Sequence, residues 1–176
     1  PTTPDDAATF TLGANDSAVY LDAPVDVSNL SPAWGQSTSL TEVTDTEAGK
    51  LLKFSNFNYQ GIEFNSRDLT GQDDMHLDVW SADSGQIKVG IVSPGPAEHL
   101  ITFDVTGGQW NAIDLDLADF ATAGVDLADV IQIKFDTVNA DTPKEFYVDN
   151  LAFTAAYVAP TTPDDAATFT LGANDS

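Results

Sequence analysis

Short segments in which apolar and polar residues alternate fill most of the chain. The clearest are MHLDVW (75–80), QIKVGIV (86–92) and VIQIKFD (130–136). Similar runs are SLTEV, KLLKFSNF, QGIEF, HLITFDV, WNAIDLDL and FYVDNLAF. A period of two predicts β-strands, and turns such as SADSG at close intervals predict two packed sheets. We therefore predict an all-β protein, a β-sandwich or jelly roll, with short helical turns only. ADFATAGVDLADV is the one segment that suggests such a turn.

The beginning of the chain is less regular. ATFTL (8–12) alternates and predicts a first strand, and AVYLD (18–22) predicts a second. Residues 23–37 contain prolines and a glycine without a steady period, which predicts a long loop that carries Trp34. Long loops in compact domains are often functional.

Seventeen residues occur twice without a change. PTTPDDAATFTLGANDS fills positions 1–17 and again 160–176, so the second copy starts 159 residues after the first. That period is the length of a whole domain. We interpret the chain as a linker (1–7), one module (8–159), and the linker and start of the next tandem repeat (160–176). Neighbouring identical repeats are the expected partners in the same chain. The sequence leaves open how the second copy behaves; an unpaired sheet edge of its own or of a neighbouring chain could accept it as an added strand. A flank duplicated by design is the alternative.

Charge excludes several kinds of partner. Six basic residues face 28 acidic ones, for a net charge of −22. Nucleic acid is excluded because phosphate binding needs clustered Lys and Arg. No apolar run has the length of a membrane span, and the absence of cysteine removes thiolate catalysis and Cys-type zinc sites. Acidity, repetition and the Pro/Thr/Asp linker predict an extracellular or cell-surface, secreted bacterial protein.

No catalytic motif stands out. His76 and His99 are the only histidines, and they form no metalloprotease motif. Carboxylates are abundant, but no pair is singled out as an acid and base. We predict that the chain is not an enzyme.

Aromatic and polar residues instead suggest sugar binding. Sugars stack on aromatic rings, and planar polar groups bond their hydroxyls. The outward faces of three predicted strands carry suitable residues: His76, Asp78 and Trp80, then Lys88, then Gln132, Lys134 and Asp136. The alternative is that this face packs inside the protein, with Trp80 in the core.

Two further aromatic residues favour a binding platform. Trp34 and Tyr59 lie beside glycine and glutamine in loops, in WGQS and NYQG. We predict stacking by Trp34, Tyr59 and Trp80. Hydroxyl contacts are predicted for Gln36, Gln60, Lys134 and Asp136. Trp110 follows a Gly-Gly turn and is expected to be structural, and SPGP (93–96) is a rigid turn that suits the wall of a cleft.

Calcium is the expected cofactor. Asp22 ends an early strand and Asp149 lies in the closing strand, so a cation between them would join the two ends of the domain. Calcium needs six to eight oxygen ligands, which would include backbone carbonyls and a further carboxylate such as Glu42.

Residues 18–153 resemble a known family. The order of AVYLDAPVDV, PAWGQST, KFSNFNYQGIEF, MHLDVWSADSGQIKVGIVSPGPAEH, WNAIDLDLADF and FYVDNLAF is similar to an accessory domain of marine bacterial polysaccharide-degrading enzymes, found beside laminarinase-type glycoside hydrolases. That domain is similar to carbohydrate-binding modules with the galactose-binding-like β-sandwich. The resemblance implies non-catalytic binding of a neutral β-glucan such as laminarin, and a structural calcium near the closing strand that matches Asp149.

Two functions follow as hypotheses. The first is a calcium-stabilised, tandem-repeated polysaccharide-binding module. The second is a calcium-rigidified spacer or adhesin repeat that binds no glycan. Exposure of Trp34, Tyr59 and Trp80 would favour the first, and burial of all three the second.

Overall fold

The computed structural model describes residues 2–44 and 49–156. The predicted start of the next repeat, 160–176, lies outside these ranges. Within them the chain forms β-strands and one short helix: β1 (Ser17–Tyr20), β2 (Val27–Asn29), β3 (Ser39–Thr44), β4 (Lys50–Ser55), β5 (Tyr59–Arg67), β6 (Asp74–Ser81), β7 (Gly85–Ser93), β8 (Ala97–Val105), β9 (Gln109–Asp116), α1 (Leu117–Thr122), β10 (Val130–Thr137) and β11 (Phe146–Thr154). Across the described ranges, no helix is long and apolar enough to cross a lipid bilayer.

The strands form two antiparallel sheets. The six-stranded sheet has the order β3-β4-β11-β6-β9, and β1 also pairs with β11. The five-stranded sheet has the order β2-β5-β10-β7-β8. The prediction of a β-sandwich is confirmed. The predicted loop 23–37 contains the three-residue strand β2, and the predicted helical turn is α1.

Apolar residues of both sheets meet in one core. From β6 it receives Met75, Leu77 and Val79, and from β7 it receives Ile87, Val89 and Ile91, all fully buried. An aromatic cluster joins the sheets, because the ring of Phe54 in β4 lies 4.8 Å from that of Phe135 in β10 and 4.5 Å from that of Phe146 in β11. The alternation in β6 and β7 therefore identified the inward residues correctly.

Pattern and structure differ in two places. Residues 8–12 form no strand, although they alternate; this segment instead lies over the outer face of the six-stranded sheet, where Phe10 stacks on His76. In β10 the register shifts between Val130 and Gln132, so Val130 takes the buried position and Ile131 stays half-buried. Alternation describes which residues can share a face, but pairing decides whether a strand forms and where its register slips.

Candidate functional site

The outer face of the five-stranded sheet collects polar side chains from three neighbouring strands. Gln132, Lys134 and Asp136 alternate with the buried Ile133 and Phe135 of β10, so they point away from the core. Pairing aligns them in rows with β5 and β7: Asp136 with Tyr59 and Lys88, Lys134 with Gly61 and Gly90, and Gln132 with Glu63 and Val92. We call this surface the polar face; it comprises Trp34, Tyr59, Gly61, Glu63, Lys88, Glu98, Gln132, Lys134 and Asp136.

Trp34 comes from the loop after β2 and lies over β5. A Cβ atom on Gly61 would come within 2.1 Å of its six-membered ring, so this close approach requires glycine. The indole Nε1 donates a hydrogen bond to Glu63 Oε1 at 3.2 Å, and the hydroxyl of Tyr59 donates to the carbonyl of Trp34 at 2.8 Å. Both aromatic residues are half-buried. The structure therefore brings Trp34 and Tyr59 together at the edge of the polar face, and we call the two residues the Trp34 platform; their predicted stacking on a sugar stays a prediction.

Gln36 and Gln60 support this platform from beneath. Gln36 Oε1 accepts a hydrogen bond from the Trp34 backbone N–H at 2.6 Å, and its Nε2 donates to Gln60 Oε1 at 2.9 Å and to the carbonyl of Pro32 at 2.8 Å. Gln60 is 0 % exposed. The prediction of Gln60 as a ligand contact is wrong, because its position in β5 points inward and its amide bonds the protein. Gln36, half-buried with both ends of its amide engaged, orients Trp34.

Asn58 fastens the loop that carries Trp34. Its Oδ1 accepts hydrogen bonds from the backbone N–H of Ser37, Thr38 and Tyr59 and from the hydroxyl of Thr38, at 2.8–3.3 Å. Sequence reasoning did not assign Asn58 a role. In the sequence Asn58 precedes a strand and Thr38 follows a loop, and nothing in these positions indicates that the two side chains are in contact.

If the Trp34 platform binds polysaccharide, as the sequence predicts, Asn58→Ala should weaken that binding without touching the polar face itself. Four hydrogen bonds would lose their acceptor. The Ser37 N–H is exposed and can bond water instead, and the part-buried donors of Thr38 and Tyr59 would each cost less than the about 1–3 kcal/mol of a fully buried donor. We expect a lower thermal unfolding temperature and an affinity reduced roughly 5–10-fold as the platform loosens. Asn58→Asp keeps the acceptor oxygen and should preserve both. Wild-type affinity in Asn58→Ala, measured by affinity electrophoresis and calorimetry, would contradict a positioning role.

Lys134 and Glu98 close the other side of the polar face. Lys134 in β10 and Glu98 in β8 lie on either side of β7, and Lys134 Nζ is 3.4 Å from Glu98 Oε1. Glu98 is the second residue of β8 and follows the turn at 93–96, so this turn lies beside the polar face. His99 packs its ring edgewise against Phe120 at 5.9 Å. Two of the chain's six cationic side chains, Lys88 and Lys134, lie on this face, so its charges nearly balance in a protein of net charge −22.

Trp80 lies elsewhere. It belongs to β6, which pairs with β9 and β11 in the other sheet. Its side chain is 3 % exposed, in a small cluster with Leu51 and Tyr147 against which Trp110 packs. The prediction that Trp80, His76 and Asp78 share a face with Lys134 and Asp136 is wrong, because alternation identifies a face of a strand but not the sheet to which the strand belongs. Trp110 is structural, as expected.

Asp22 and Asp149, two of the three predicted calcium ligands, do meet. The backbone N–H of Asp22 lies 3.5 Å from Asp149 Oδ1. Asp149 is 4 % exposed, and burial, together with the nearby carboxylates of Asp22 and Asp78, raises its pKa to about 6 although backbone hydrogen bonds from Asn150 and Asp22 oppose the shift. A buried carboxylate without a cationic partner has the chemistry of a hard-cation ligand.

Glu42 is engaged differently. It accepts a hydrogen bond from the hydroxyl of Tyr20 at 2.9 Å. Burial and this carboxylate raise the pKa of Tyr20 far above its ordinary value, so the hydroxyl stays a donor. Among residues 2–44 and 49–156, no group of three or more His, Asp or Glu side chains is placed to hold a metal ion. The calcium site therefore stays a prediction, with Asp22 and Asp149 as the pair that fits it.

Comparison of the sequence with protein-family models and with curated proteins yields no match. Solved structures do match. A family 11 carbohydrate-binding module from Clostridium thermocellum, in complex with a β-1,3-1,4-mixed-linked tetrasaccharide, is 16 % identical with a TM-score of 0.58, over 80 % of this chain and 96 % of that one. The family 30 module of a cellulosomal cellulase from the same organism is 15 % identical with a TM-score of 0.57, over 80 % and 98 %. A family 29 module complexed with mannohexaose is 15 % identical with a TM-score of 0.53, over 78 % and 89 %. The chain thus has the β-sandwich fold of carbohydrate-binding modules.

Proposed function

We propose that this chain is a non-catalytic polysaccharide-binding module whose polar face holds a neutral β-glucan such as laminarin. The observation that carries the proposal is the half-buried Trp34 platform, fixed over Gly61 and continuous with the row of Lys134, Asp136 and Gln132. An aromatic plane beside charged and amide groups matches a sugar ring, which has an apolar C–H face and a rim of hydroxyls.

The charges of the polar face and the ligands of the structurally similar modules both support a neutral glycan. Lys88 and Lys134 face three carboxylates, those of Glu63, Glu98 and Asp136, so the formal charges of this face sum to −1 and it offers both donors and acceptors. The rest of the protein, at −22, repels polyanions such as alginate. The similar family 11 module carries a β-1,3-1,4-linked tetrasaccharide and the family 29 module carries mannohexaose, both of them neutral oligosaccharides.

The face also suits binding better than catalysis. Glu98 faces Lys134, Glu63 accepts from the Trp34 indole, and Asp136 Oδ1 accepts from the N–H of Thr137 at 2.8 Å. Each carboxylate is thus engaged by the protein itself. We extend the proposal to a secreted, extracellular bacterial protein in which calcium stabilises the module and identical units repeat, in a laminarinase-type context.

The alternative is a calcium-rigidified spacer without glycan binding. Burial of all three predicted platform residues would have favoured it. Trp80 is buried, but Trp34 and Tyr59 stay half-buried at the surface, which favours binding.

The test is affinity electrophoresis against laminarin, mixed-linkage glucan, xylan, agarose and alginate. We expect retardation by a neutral β-glucan and none by alginate. Lys134→Ala/Asp136→Ala should reduce the affinity at least ~5-fold through lost hydroxyl contacts. Lys53→Ala/Glu145→Ala is a matched control, because it also removes one positive and one negative charge. Lys53 lies in β4 and Glu145 directly precedes β11, so this pair, 3.8 Å apart, belongs to the other sheet. Free migration of the wild type on every glycan would overturn the proposal.

A further inference from the structure

The first copy of the repeated segment packs on the outer face of the six-stranded sheet. Thr3 and Pro4 line a cleft with Val43, Leu51 and Tyr147. Farther along, the carbonyl of Asp5 accepts a hydrogen bond from Trp110 Nε1, and the carbonyl of Ala8 accepts one from Asn150 Nδ2, both at 2.8 Å. Thr3, Pro4 and Asp5 of the predicted linker are therefore in contact with the module.

An aromatic contact anchors the middle of this segment. The ring of Phe10 stacks on the imidazole of His76 at 5.1 Å with 14° between the planes. His76 is itself fixed from both sides, because Nδ1 lies 2.8 Å from Asp114 Oδ1 and Nε2 lies 3.2 Å from Asp78 Oδ1. The sheet thus presents a preformed ring against which a phenylalanine packs.

The end of the segment is fixed beside the last strand. Asp16 Oδ1 accepts a hydrogen bond from the N–H of Ala155 at 2.9 Å, and the carbonyl of Asn15 accepts from Gln72 Nε2 at 2.7 Å. Since residue 3 lies near Tyr147 and residue 16 near Ala155, the segment runs in the same direction as β11. We call the surface under residues 3–16 the segment groove.

Residues 160–176 have the same sequence as residues 1–17, so they carry every group that fits the segment groove. The second copy cannot reach the groove of its own domain in the same direction. To do so, Thr162, the counterpart of Thr3, would have to lie near Tyr147. The six residue steps from Ala156 to Thr162 extend at most about 20–22 Å. The distance along the chain from Ala155 back to Tyr147 in β11 is roughly 26–27 Å, so the connection is too short.

We propose that the segment groove binds residues 160–176 of a second copy of this chain. Each chain then donates its second copy to the groove of the next, in a head-to-tail contact that does not close on itself and so continues along a row of molecules. In a tandem protein, the same contact makes each linker a structural part of the module that follows it.

The first copy competes for the groove because it is covalently attached, with an effective concentration of the order of millimolar. Binding of a second chain's residues 160–176 should therefore become measurable when the first copy binds the groove less tightly and the second copy is unchanged. Phe10→Ala does this, and Phe169 is the matching position in the second copy.

The experiment measures mass by sedimentation velocity from about 10 µM to 1 mM. Phe10→Ala should form dimers and longer rows as concentration rises, whereas Phe169→Ala and Phe10→Ala/Phe169→Ala should stay monomeric. If the double variant associates as strongly as Phe10→Ala, the proposal is overturned, since molecules would then associate through their exposed segment grooves without the second copy. A monomeric Phe10→Ala would overturn it as well.

A second measurement does not depend on assembly. A fluorescent peptide PTTPDDAATFTLGANDS should bind Phe10→Ala/Phe169→Ala at least ~10-fold more tightly than the wild type, by anisotropy, and its Phe→Ala counterpart should not bind. Equal binding of both peptides would overturn the proposal. If Phe10→Ala fails to fold by circular dichroism, Asp16→Ala replaces it, with Asp16→Ala/Asp175→Ala as its control. The polar face lies on the other sheet, so glycan binding tests a separate proposal.

Discussion

Trp34→Ala is expected to abolish glycan binding while the fold stays intact. The indole is the aromatic surface that the loop after β2 places over Gly61, half-buried and bonded to Glu63. Truncation of an aromatic anchor to alanine typically costs about 2 kcal/mol or more, which corresponds to ~30-fold in Kd. For the polar face, that loss would remove retardation in affinity electrophoresis. Because the ring lies outside the main core, we expect the unfolding temperature to fall by only a few degrees.

Two variants show whether stacking is the cause. Gly61→Ala retains the indole but displaces it, since the new methyl would overlap the ring, and should weaken binding without removing an aromatic group. Trp80→Phe changes a buried tryptophan of the other sheet and should bind glycan like the wild type. Unchanged affinity in Trp34→Ala, or equal losses in Trp34→Ala and Trp80→Phe, would contradict the polar face as the site.

The comparison of Trp34 with Trp80 shows what sequence can and cannot locate. The local context of Trp34, in a Pro- and Gly-containing loop, indicated a position at the surface, and Trp34 is half-buried there, outside the core. Trp80 alternates correctly with Leu77 and Val79, yet nothing in a single strand states which of two sheets it joins. That choice depends on pairing with strands β9 and β11, which lie far away in the chain.

Supporting residues were harder to predict than surface ones. Glu63 follows Tyr59 and Gly61 at the two-residue spacing of an outward face, so the same pattern that selected Lys134 and Asp136 could have selected it. Asn58 carries no such pattern. Its four hydrogen bonds depend on a loop folding back over β5, and only tertiary structure brings these groups together.

The alternation of ATFTL has a physical explanation at one position only. Phe10 packs on His76 and is half-buried, so at this one position the segment meets the requirement that a strand on a sheet would impose. Ala8 and Leu12 on the same side of the pattern are exposed, so the alternation corresponds to neither a strand nor a buried face here. The position of the segment across the face of a sheet, rather than at an edge, depends on residues of β6, β9 and β11 that already pair with one another.

Calcium is expected to reverse the effect of Asp149→Asn on stability. Folding raises the pKa of Asp149 from its ordinary value of 3.8 to about 6, so the native state holds a proton that the unfolded chain has released between about pH 4 and 6. Stability therefore falls as the pH rises through that window, by on the order of 3 kcal/mol at pH 7. Asparagine keeps the acceptor Oδ1 without the buried charge. In chelator at pH 7, Asp149→Asn should unfold at a higher temperature than the wild type.

With calcium the order should invert. A cation beside Asp22 and Asp149 would neutralise the buried carboxylate, and calcium at 1,000 times its Kd stabilises the native state by about 4.1 kcal/mol, which exceeds the ~3 kcal/mol that the buried charge costs. For a chain of this size that corresponds to a rise of roughly 8–16 °C in the wild-type unfolding temperature, measured by scanning calorimetry. Asp149→Asn should show little rise, because it lacks the charged ligand.

Two controls define which carboxylates take part. Asp104 lies in β8 of the five-stranded sheet, where its Oδ1 accepts a hydrogen bond from Gln86, so Asp104→Asn should respond to calcium like the wild type. Glu42→Gln separates the two roles open to Glu42: a full calcium response leaves it as the acceptor for Tyr20, and a lost response makes it the third ligand. Identical wild-type unfolding temperatures in calcium and in chelator would rule out a stabilising cation here. The buried carboxylate of Asp149 beside the exposed Asp22 would then be a local cost to the fold that Asp149→Asn relieves under both conditions.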